Sequence, residues 1–187
     1  MSDKKPLVIL DRDGVINEDS DAYIKSADEW LPIPGSIPAI ARLKQAGFQV
    51  VIATNQSGLA RGLFAPCDLE AMHNKFEALL AEQGVMHDGI FFCPHGPDDN
   101  CLCRKPLPGL VSQIEASLEI SAKDAYFVGD SLRDLQAANA GKCKPVLVKT
   151  GKGQATYNKI MGDESLGFSK IPIYESLNEF VINLLSS

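Results

Sequence analysis

The stretch LVILDRDGVIN, from Leu7 to Asn17, decides how the rest of the sequence is interpreted. Four apolar residues, the pattern of a buried strand, end directly at two carboxylates one residue apart, Asp11 and Asp13. Neighbouring negative charges repel each other, so the pair belongs either to a surface turn or to a site that binds a metal ion and a phosphate. The residues that follow the other apolar runs distinguish these two interpretations.

Composition limits the class of protein. The chain has 187 residues, of which 45% are hydrophobic, and this length predicts a single domain over residues 1–187. Eighteen basic against 24 acidic side chains give a net charge of -6 without a basic stripe, so we expect no nucleic-acid partner. The sequence has no apolar run of the roughly 18 residues that a membrane span needs, and MSDKKP at the N-terminus lacks the apolar core of a signal peptide. We therefore expect a soluble cytoplasmic protein with no membrane partner, and a monomer.

Short apolar runs alternate with amphipathic segments along the chain. The apolar runs predict strands at 6–10, 49–53, 89–93, 125–129 and 145–149. Helical spacing predicts helices near 36–47, 66–83, 110–118 and 132–141, with a last helix after the capping-box pair Ser176 and Glu179. This alternation predicts an α/β fold, a Rossmann-like three-layer sandwich with a mainly parallel sheet. TGKG at 150–153 lacks the full phosphate-loop pattern and is interpreted as a flexible surface loop.

Polar side chains follow four of the predicted strands. They are Asp11 and Asp13 after the first, Thr54, Asn55, Gln56 and Ser57 after the second, Arg104 and Lys105 in the loop after the third, and Asp130 and Asp134 after the fourth. In parallel sheets such loops meet at the carboxyl edge. Clustered carboxylates favour a bound Mg²⁺, and one of them can attack phosphorus while another moves the proton. A hydroxyl and an ammonium suit the phosphoryl oxygens.

The four segments also resemble a known family. In order, DRDGV at 11–15, ATNQSG at 53–58, CRKP at 103–106 and VGDSLRD at 128–134 resemble the four motifs of the haloacid dehalogenase (HAD) superfamily of phosphatases. Singly, the segments have plainer interpretations: a polar turn, a helix cap and a solvated lysine. All four together, in the order of the superfamily, favour the phosphatase.

The resemblance implies a role for each of these positions. It implies Asp11 as the nucleophile, Asp13 as the general acid and base, Thr54 and Lys105 as stabilisers of the phosphoryl group, and Mg²⁺ bound by Asp11, by the backbone carbonyl of Asp13 and by Asp130. For Asp134 three roles stay open: a metal ligand, a partner of a metal-bound water, or a helix cap.

The loop after the third strand carries a second predicted metal site. CPHGPDDNCLC supplies Cys93, His95, Cys101 and Cys103 within residues 93–103. Three thiolates and an imidazole at this spacing favour a tetrahedral structural Zn²⁺ over a disulfide, because a C-x-C disulfide is strained and cytoplasmic thiols stay reduced. The loop runs directly into Lys105, so zinc would hold the segment that supplies this side chain.

Residues 14–35 and the segment between the second and third motifs are too short for a cap domain, so the predicted enzyme is capless and selects its substrate with loops. Among capless members, DRDGVIN, TNQSGLARG and the cysteine loop resemble the heptose-bisphosphate phosphatases, which implies a small sugar-phosphate substrate and a place in nucleotide-heptose synthesis for bacterial surface polysaccharide. The side chains expected at the substrate are Asp19, Ser20, Asp21, Tyr23, Asn55, Gln56, Ser57, Arg61 and Arg104.

Two other functions remain open at this point. Histidinol-phosphate phosphatases share the motifs and the zinc loop, but a cationic substrate would need carboxylates where this chain has Arg61 and Arg104. A non-catalytic phosphosugar-binding or zinc-stabilised interaction protein would not need an acid/base residue beside a nucleophile, whereas this chain has both Asp11 and Asp13.

Overall fold

The computed structural model describes residues 5–186; most of the MSDKKP segment and Ser187 lie outside the described residues. Within that range the chain forms one six-stranded parallel sheet in the order β3-β2-β1-β4-β5-β6. The strands are β1 (Leu7–Leu10), β2 (Gln49–Asn55), β3 (Gly89–Cys93), β4 (Tyr126–Gly129), β5 (Lys144–Val148) and β6 (Ile173–Tyr174). The helices are α1 (Ser36–Gln45), α2 (Pro66–Glu82), α3 (Gly109–Leu118), α4 (Leu132–Ala140), α5 (Gly153–Gly162) and α6 (Leu177–Leu185). The predicted fold class is confirmed.

Strand β1 lies in the middle of the sheet and is buried along its whole length. Val8 and Leu10 pack into a core with the large side chains of Trp30 and Phe76. The alternate residues, Leu7 and Ile9, pack into a second core on the opposite face. An uninterrupted apolar run is what a strand covered on both faces requires, and this explains why Asp11 comes at once after Leu10.

The strand order places a topological switch point beside β1. From β1 the chain builds outward through β2 to β3, then returns to the other side of β1 and builds outward through β4, β5 and β6. The loops after β1 and β4 therefore leave the carboxyl edge in opposite directions and open a crevice between them. The first and fourth predicted motifs lie at this crevice.

The region after β5 contains elements that the sequence pattern did not predict: α5, a 3₁₀ turn at Glu164–Leu166, and the two-residue strand β6. The TGKG segment is also more than a surface loop. Its exposed residue Gly151 lies against Gly14 of the first motif, and the Thr150 hydroxyl donates a 2.6 Å hydrogen bond to the Gly14 carbonyl oxygen. Among residues 5–186, no helix combines the length and the apolar character needed to cross a membrane.

Candidate active site

Three carboxylates meet at the carboxyl edge of β1 and β4. The Asp11 backbone N–H donates a hydrogen bond to the Val128 carbonyl, which fixes the start of the first motif against β4. One carboxylate oxygen from each of Asp11, Asp130 and Asp134 lies within 4.8 Å of the others, and all three residues are buried. Such a group of like charges either binds a cation or takes up protons at neutral pH.

The Lys105 ammonium is the positive charge that faces these carboxylates. Its Nζ lies 2.7 Å from Asp11 Oδ1 and 2.6 Å from Asp134 Oδ1, and it donates a 2.8 Å hydrogen bond to the Ala53 carbonyl. Lys105 is 2% exposed. Burial alone would lower its pKa, but the charges of Asp11 and Asp134 outweigh burial and raise it. The side chain is therefore a fixed ammonium.

One ammonium does not neutralise the cluster. Burial, followed by the negative charge of Asp134, raises the pKa of Asp11 to about 7. Burial and the charges of Asp134 and Asp11 raise the pKa of Asp130 to about 8. The pKa of Asp134 is lowered despite its burial, because Lys105 and Ser131 bind its charged form. Asp11 and Asp130 are therefore the carboxyl groups that hold protons near neutral pH unless a further cation binds beside them.

The Asp134 carboxylate is held on both oxygens. Oδ2 accepts hydrogen bonds from the backbone N–H of Ser131 at 2.9 Å and from its hydroxyl at 2.6 Å, and Oδ1 pairs with Lys105. Asp134 therefore caps the start of α4, as one of the sequence alternatives stated, and also holds Lys105.

Two glycines surround the Asp130 carboxylate. A Cβ at Gly14 would lie 2.1 Å from Asp130 Oδ2, and a Cβ at Gly151 would lie 2.3 Å from it. Both glycines have positive φ angles, +82° and +56°. The backbone N–H of Lys152 donates to the same oxygen at 2.8 Å. The TGKG segment thus completes the Asp130 site.

Asp13 is held by three donors on the other side of the nucleophile. Arg12 Nη2, Asn17 Nδ2 and Gln56 Nε2 each lie 2.9 Å from its carboxylate. Burial works to raise the pKa of Asp13, but the Arg12 charge and these hydrogen bonds hold it below its usual value. The same Gln56 Nε2 donates to Thr54 Oγ1 at 2.8 Å. Gln56 therefore links the acid/base candidate to the second motif.

The sequence analysis missed Arg12, although this residue lies inside the first motif. Arg12 is 2% exposed, and its Nη2 contacts both Asp13 and Gln56. Nε and Nη1 have no hydrogen-bond partner among the described residues. An apolar strand followed by Asp-x-Asp carries no signal for a buried cation at the middle position, so only the three-dimensional arrangement identifies it.

A cavity of about 250 Å³ lies above these groups. Every side chain expected at the substrate lines it: Asp19, Ser20, Asp21, Tyr23, Asn55, Gln56, Ser57, Arg61 and Arg104. Arg133 and Lys152, which the sequence analysis did not select, line it as well. Lys152 Nζ lies 3.3 Å from Asp19 and 3.2 Å from Asp21. This lysine therefore offsets two of the negative charges of the cavity.

Asn55 and Arg104, two of the expected substrate residues, hydrogen-bond to the protein backbone. Asn55 Nδ2 donates to the Lys105 carbonyl, and Asn55 Oδ1 accepts from the Lys105 N–H, both at 3.0 Å. Arg104 Nη1 donates to the His95 carbonyl at 3.2 Å, which ties it to the cysteine loop. The side-chain amide of Asn55 thus contacts protein backbone at both ends.

The four predicted zinc ligands lie together. Cys93 Sγ is 3.0 Å from Cys103 Sγ, 3.7 Å from Cys101 Sγ and 3.6 Å from His95 Nδ1. Tetrahedral zinc with sulfur and nitrogen ligands places these atoms about 3.5 to 3.8 Å apart, so the cluster fits the ion after small shifts. Burial and the neighbouring thiol raise the pKa of Cys93 to about 12, so a thiolate at this position needs a bound cation.

Comparison with known proteins gives a consistent picture. A family model described as haloacid dehalogenase-like hydrolase matches residues 3–142. The chain is 56% identical over 167 residues, 89% of its own length and 94% of the relative, to the D-glycero-beta-D-manno-heptose-1,7-bisphosphate 7-phosphatase of Pseudomonas aeruginosa. Its structure resembles that of the D,D-heptose 1,7-bisphosphate phosphatase of B. bronchiseptica complexed with magnesium and phosphate, with a TM-score of 0.87 and 50% identity over 97% of this chain and 98% of that one. The corresponding phosphatase of Burkholderia thailandensis matches with a TM-score of 0.71 and 41% identity over 98% and 100% of the two chains.

Proposed function

The chain belongs to the haloacid dehalogenase-like hydrolases, and on this premise we propose that it is a D-glycero-β-D-manno-heptose 1,7-bisphosphate 7-phosphatase. The observation that carries the proposal is the buried group of Asp11, Asp130 and Asp134 with the Lys105 ammonium between two of them. It occurs in a chain whose relatives of that name match it over most of their length. The enzyme hydrolyses a phosphate monoester of a small sugar, in a pathway that makes nucleotide-activated heptose.

In the proposed reaction Asp11 acts as the nucleophile. Its carboxylate oxygen forms a bond to the phosphorus of the 7-phosphate while the bond from phosphorus to the sugar oxygen breaks. The negative charge of the bound phosphate would favour the protonated form of Asp13, which gives its proton to the departing sugar oxygen and later takes a proton from the water that attacks the aspartyl-phosphate. That second attack releases inorganic phosphate and restores Asp11. The Arg12 N–H and Lys105 Nζ, both 2.7 Å from Asp11 Oδ1, orient the nucleophile.

Thr54 and Lys105 hold the phosphoryl group in this proposal. Thr54 lies near the end of β2 and Lys105 lies in the loop after β3, and both residues line the same cavity. Preorganised donors of this kind each lower a barrier by roughly 3 to 4 kcal/mol. Gln56 Nε2 donates to both the Thr54 hydroxyl and the Asp13 carboxylate, and so fixes their positions relative to each other.

We assign two metals. Asp11, the backbone carbonyl of Asp13 and Asp130 would hold Mg²⁺, which would offset the charge on the transferring phosphoryl group. The carboxylate cluster and the magnesium in a related structure support this assignment. Cys93, His95, Cys101 and Cys103 would hold Zn²⁺ as a structural ion, because four protein ligands complete its tetrahedron.

The cationic side chains of the cavity favour a second phosphate on the substrate. Arg61, Arg104, Arg133 and Lys152 line it together with Arg12. Histidinol phosphate would bring a cation into these surroundings, so the alternative is not favoured. The non-catalytic alternative is not favoured either, because the relatives of this chain are named as phosphatases. We further propose a single monomeric domain that acts in the cytoplasm, where the thiols of the zinc site stay reduced.

Steady-state kinetics with Mg²⁺ on the two anomers of heptose 1,7-bisphosphate and on histidinol phosphate tests the substrate. We expect kcat/KM at least 100-fold higher for the β-bisphosphate than for histidinol phosphate, and equal low values would contradict the proposal. Asp11→Asn should reduce kcat by at least 10⁴-fold with the fold retained, because no covalent intermediate forms. Substantial turnover by that variant would exclude the covalent mechanism.

A further inference from the structure

We propose that the side-chain amide of Asn55 is a positioning residue that sets the Lys105 ammonium against the reacting phosphoryl group. The inference rests on the proposed function, because Lys105 is assigned there as a phosphoryl stabiliser. Asn55 is the last residue of β2. Its amide makes two 3.0 Å hydrogen bonds with one residue, accepting from the Lys105 N–H and donating to the Lys105 carbonyl.

The segment that carries Lys105 needs such a restraint. Residues 94–108 form no helix or strand. The cysteine cluster fixes the first part of this segment, and α3 begins only at Gly109. Between these two anchors the Asn55 amide binds the backbone of Lys105 as a neighbouring strand would, satisfying both its N–H and its carbonyl. The position of an otherwise irregular loop is thereby set by the sheet.

The same strand also contacts the far end of the lysine side chain. Lys105 Nζ donates to the carbonyl of Ala53, two residues before Asn55 on β2. Both the backbone and the ammonium of Lys105 are therefore hydrogen-bonded to the same strand. Strand β2 is itself fixed by its pairing with β1 and β3. The nucleophile follows β1, so this ladder relates the position of the ammonium to that of Asp11.

The position of the ammonium matters because two carboxylates attract it from similar distances. Nζ lies 2.7 Å from Asp11 and 2.6 Å from Asp134. A shift of the Lys105 backbone would let the ammonium follow one carboxylate and move away from the phosphoryl oxygens. Displacements of about 1 Å in such groups reduce rates by about 100-fold. Loss of the Asn55 amide should therefore reduce kcat and leave substrate binding by the cavity arginines in place.

The proposal requires an asparagine at position 55, because the side chain must both donate and accept a hydrogen bond. An alanine provides neither hydrogen bond. An aspartate has the same shape and can accept from the Lys105 N–H, but it has no donor for the carbonyl and brings a charge against it. Both substitutions keep the backbone N–H and carbonyl of residue 55, so we expect β2 to stay paired with β3.

The test measures kcat and KM for Asn55→Ala, Asn55→Asp, Lys105→Ala and the double variant of residues 55 and 105 to alanine, with Mg²⁺. We expect each residue-55 variant to lose 30- to 100-fold in kcat with less than a 3-fold change in KM. The double variant should be within 3-fold of Lys105→Ala, because an amide that acts only through Lys105 has nothing left to position. Asn74→Ala, an exposed asparagine on α2, is the matched control and should keep the activity of the unaltered enzyme.

The proposal would be overturned if the loss of kcat in the double variant equalled the product of the losses in the two single variants. An unchanged kcat in Asn55→Ala would also overturn it. A crystal structure of Asn55→Ala decides the positional claim without an activity assay. Displacement of Lys105 Nζ by about 1 Å supports it, and an unmoved Lys105 overturns it. If the unaltered protein lacks magnesium-dependent phosphatase activity, the proposed function fails. The position of Lys105 in the crystal structure of Asn55→Ala is a separate result and does not depend on that activity.

Discussion

Replacing Asp130 by asparagine should make the metal-free protein more stable and remove its activity. Asp130 is 3% exposed, and its carboxylate lies within 4.8 Å of those of Asp11 and Asp134. Its one described backbone donor, the Lys152 N–H, can bind an amide oxygen as well as a carboxylate oxygen. The substitution therefore removes a charge and keeps the shape of the site.

The gain follows from Coulomb's law. Two unit charges 4.8 Å apart repel by about 3 kcal/mol at an effective dielectric constant of 20. Asp130 experiences two such repulsions, and the Lys105 ammonium offsets roughly one of them. Relaxation of the site reduces the remainder, so we expect a gain of about 1 to 3 kcal/mol in the free energy of unfolding. For a chain of this size that corresponds to roughly 2 to 12 °C in the thermal midpoint.

Thermal unfolding at pH 8.5, above the raised pKa of Asp130, measures the effect with and without a chelator. Magnesium at 100 times its dissociation constant should stabilise the unaltered protein by about 2.7 kcal/mol and the variant by much less. Asp28→Asn, which changes an exposed carboxylate in the segment between β1 and α1, is the control and should respond as the unaltered protein does. If Asp130→Asn is no more stable than the unaltered protein in chelator, the charge argument is refuted.

Three further outcomes are expected. Cys103→Ser should lower bound zinc, the thermal midpoint and kcat together, whereas Cys67→Ser, at an exposed thiol, should change none of them. Burial and the Arg12 charge lower the pKa of His73 to about 4 in the folded protein, whereas the unfolded chain has the ordinary value of 6.5. As the pH falls below 6.5 the unfolded state takes up a proton that the folded state does not, so the free energy of unfolding decreases. His73→Gln should therefore lose about 2 kcal/mol less stability than the unaltered protein between pH 7 and 5, measured by denaturant titration. Lys152→Ala should raise KM several-fold with little change in kcat, because two cavity carboxylates then repel the anionic substrate.

The sequence predicted the sheet well because its central strands are strongly apolar. In β1, β2 and β4 every side chain is buried or nearly so, and the polar residue that ends each run marks the carboxyl edge. The short strand β6 gave no such signal, since two half-buried residues at an edge have neither length nor alternation. Helix α5 was missed because GQATYNKIMG spreads few apolar residues around the helix.

The site was predicted as a set of residues but not as a network. Motif order indicated Asp11, Thr54, Lys105 and Asp130, and the structure brings all of them to one cavity. Contacts made through a side-chain amide to a distant backbone, such as those of Asn55, leave no pattern in sequence. The contribution of the TGKG segment was missed for a related reason. Its glycines matter through their distance to Asp130, which separation along the chain does not reveal.

The two glycines beside Asp130 also determine how an ion can enter. With backbone atoms close on both sides, the carboxylate has little rotameric freedom, so removing the cation cannot be relieved by swinging the side chain away. If Asp130 holds Mg²⁺ as proposed, we expect the site to keep its dimensions when the ion leaves. Magnesium should therefore bind and leave without a slow rearrangement, and its exchange rate should be set by shedding and regaining its own water shell.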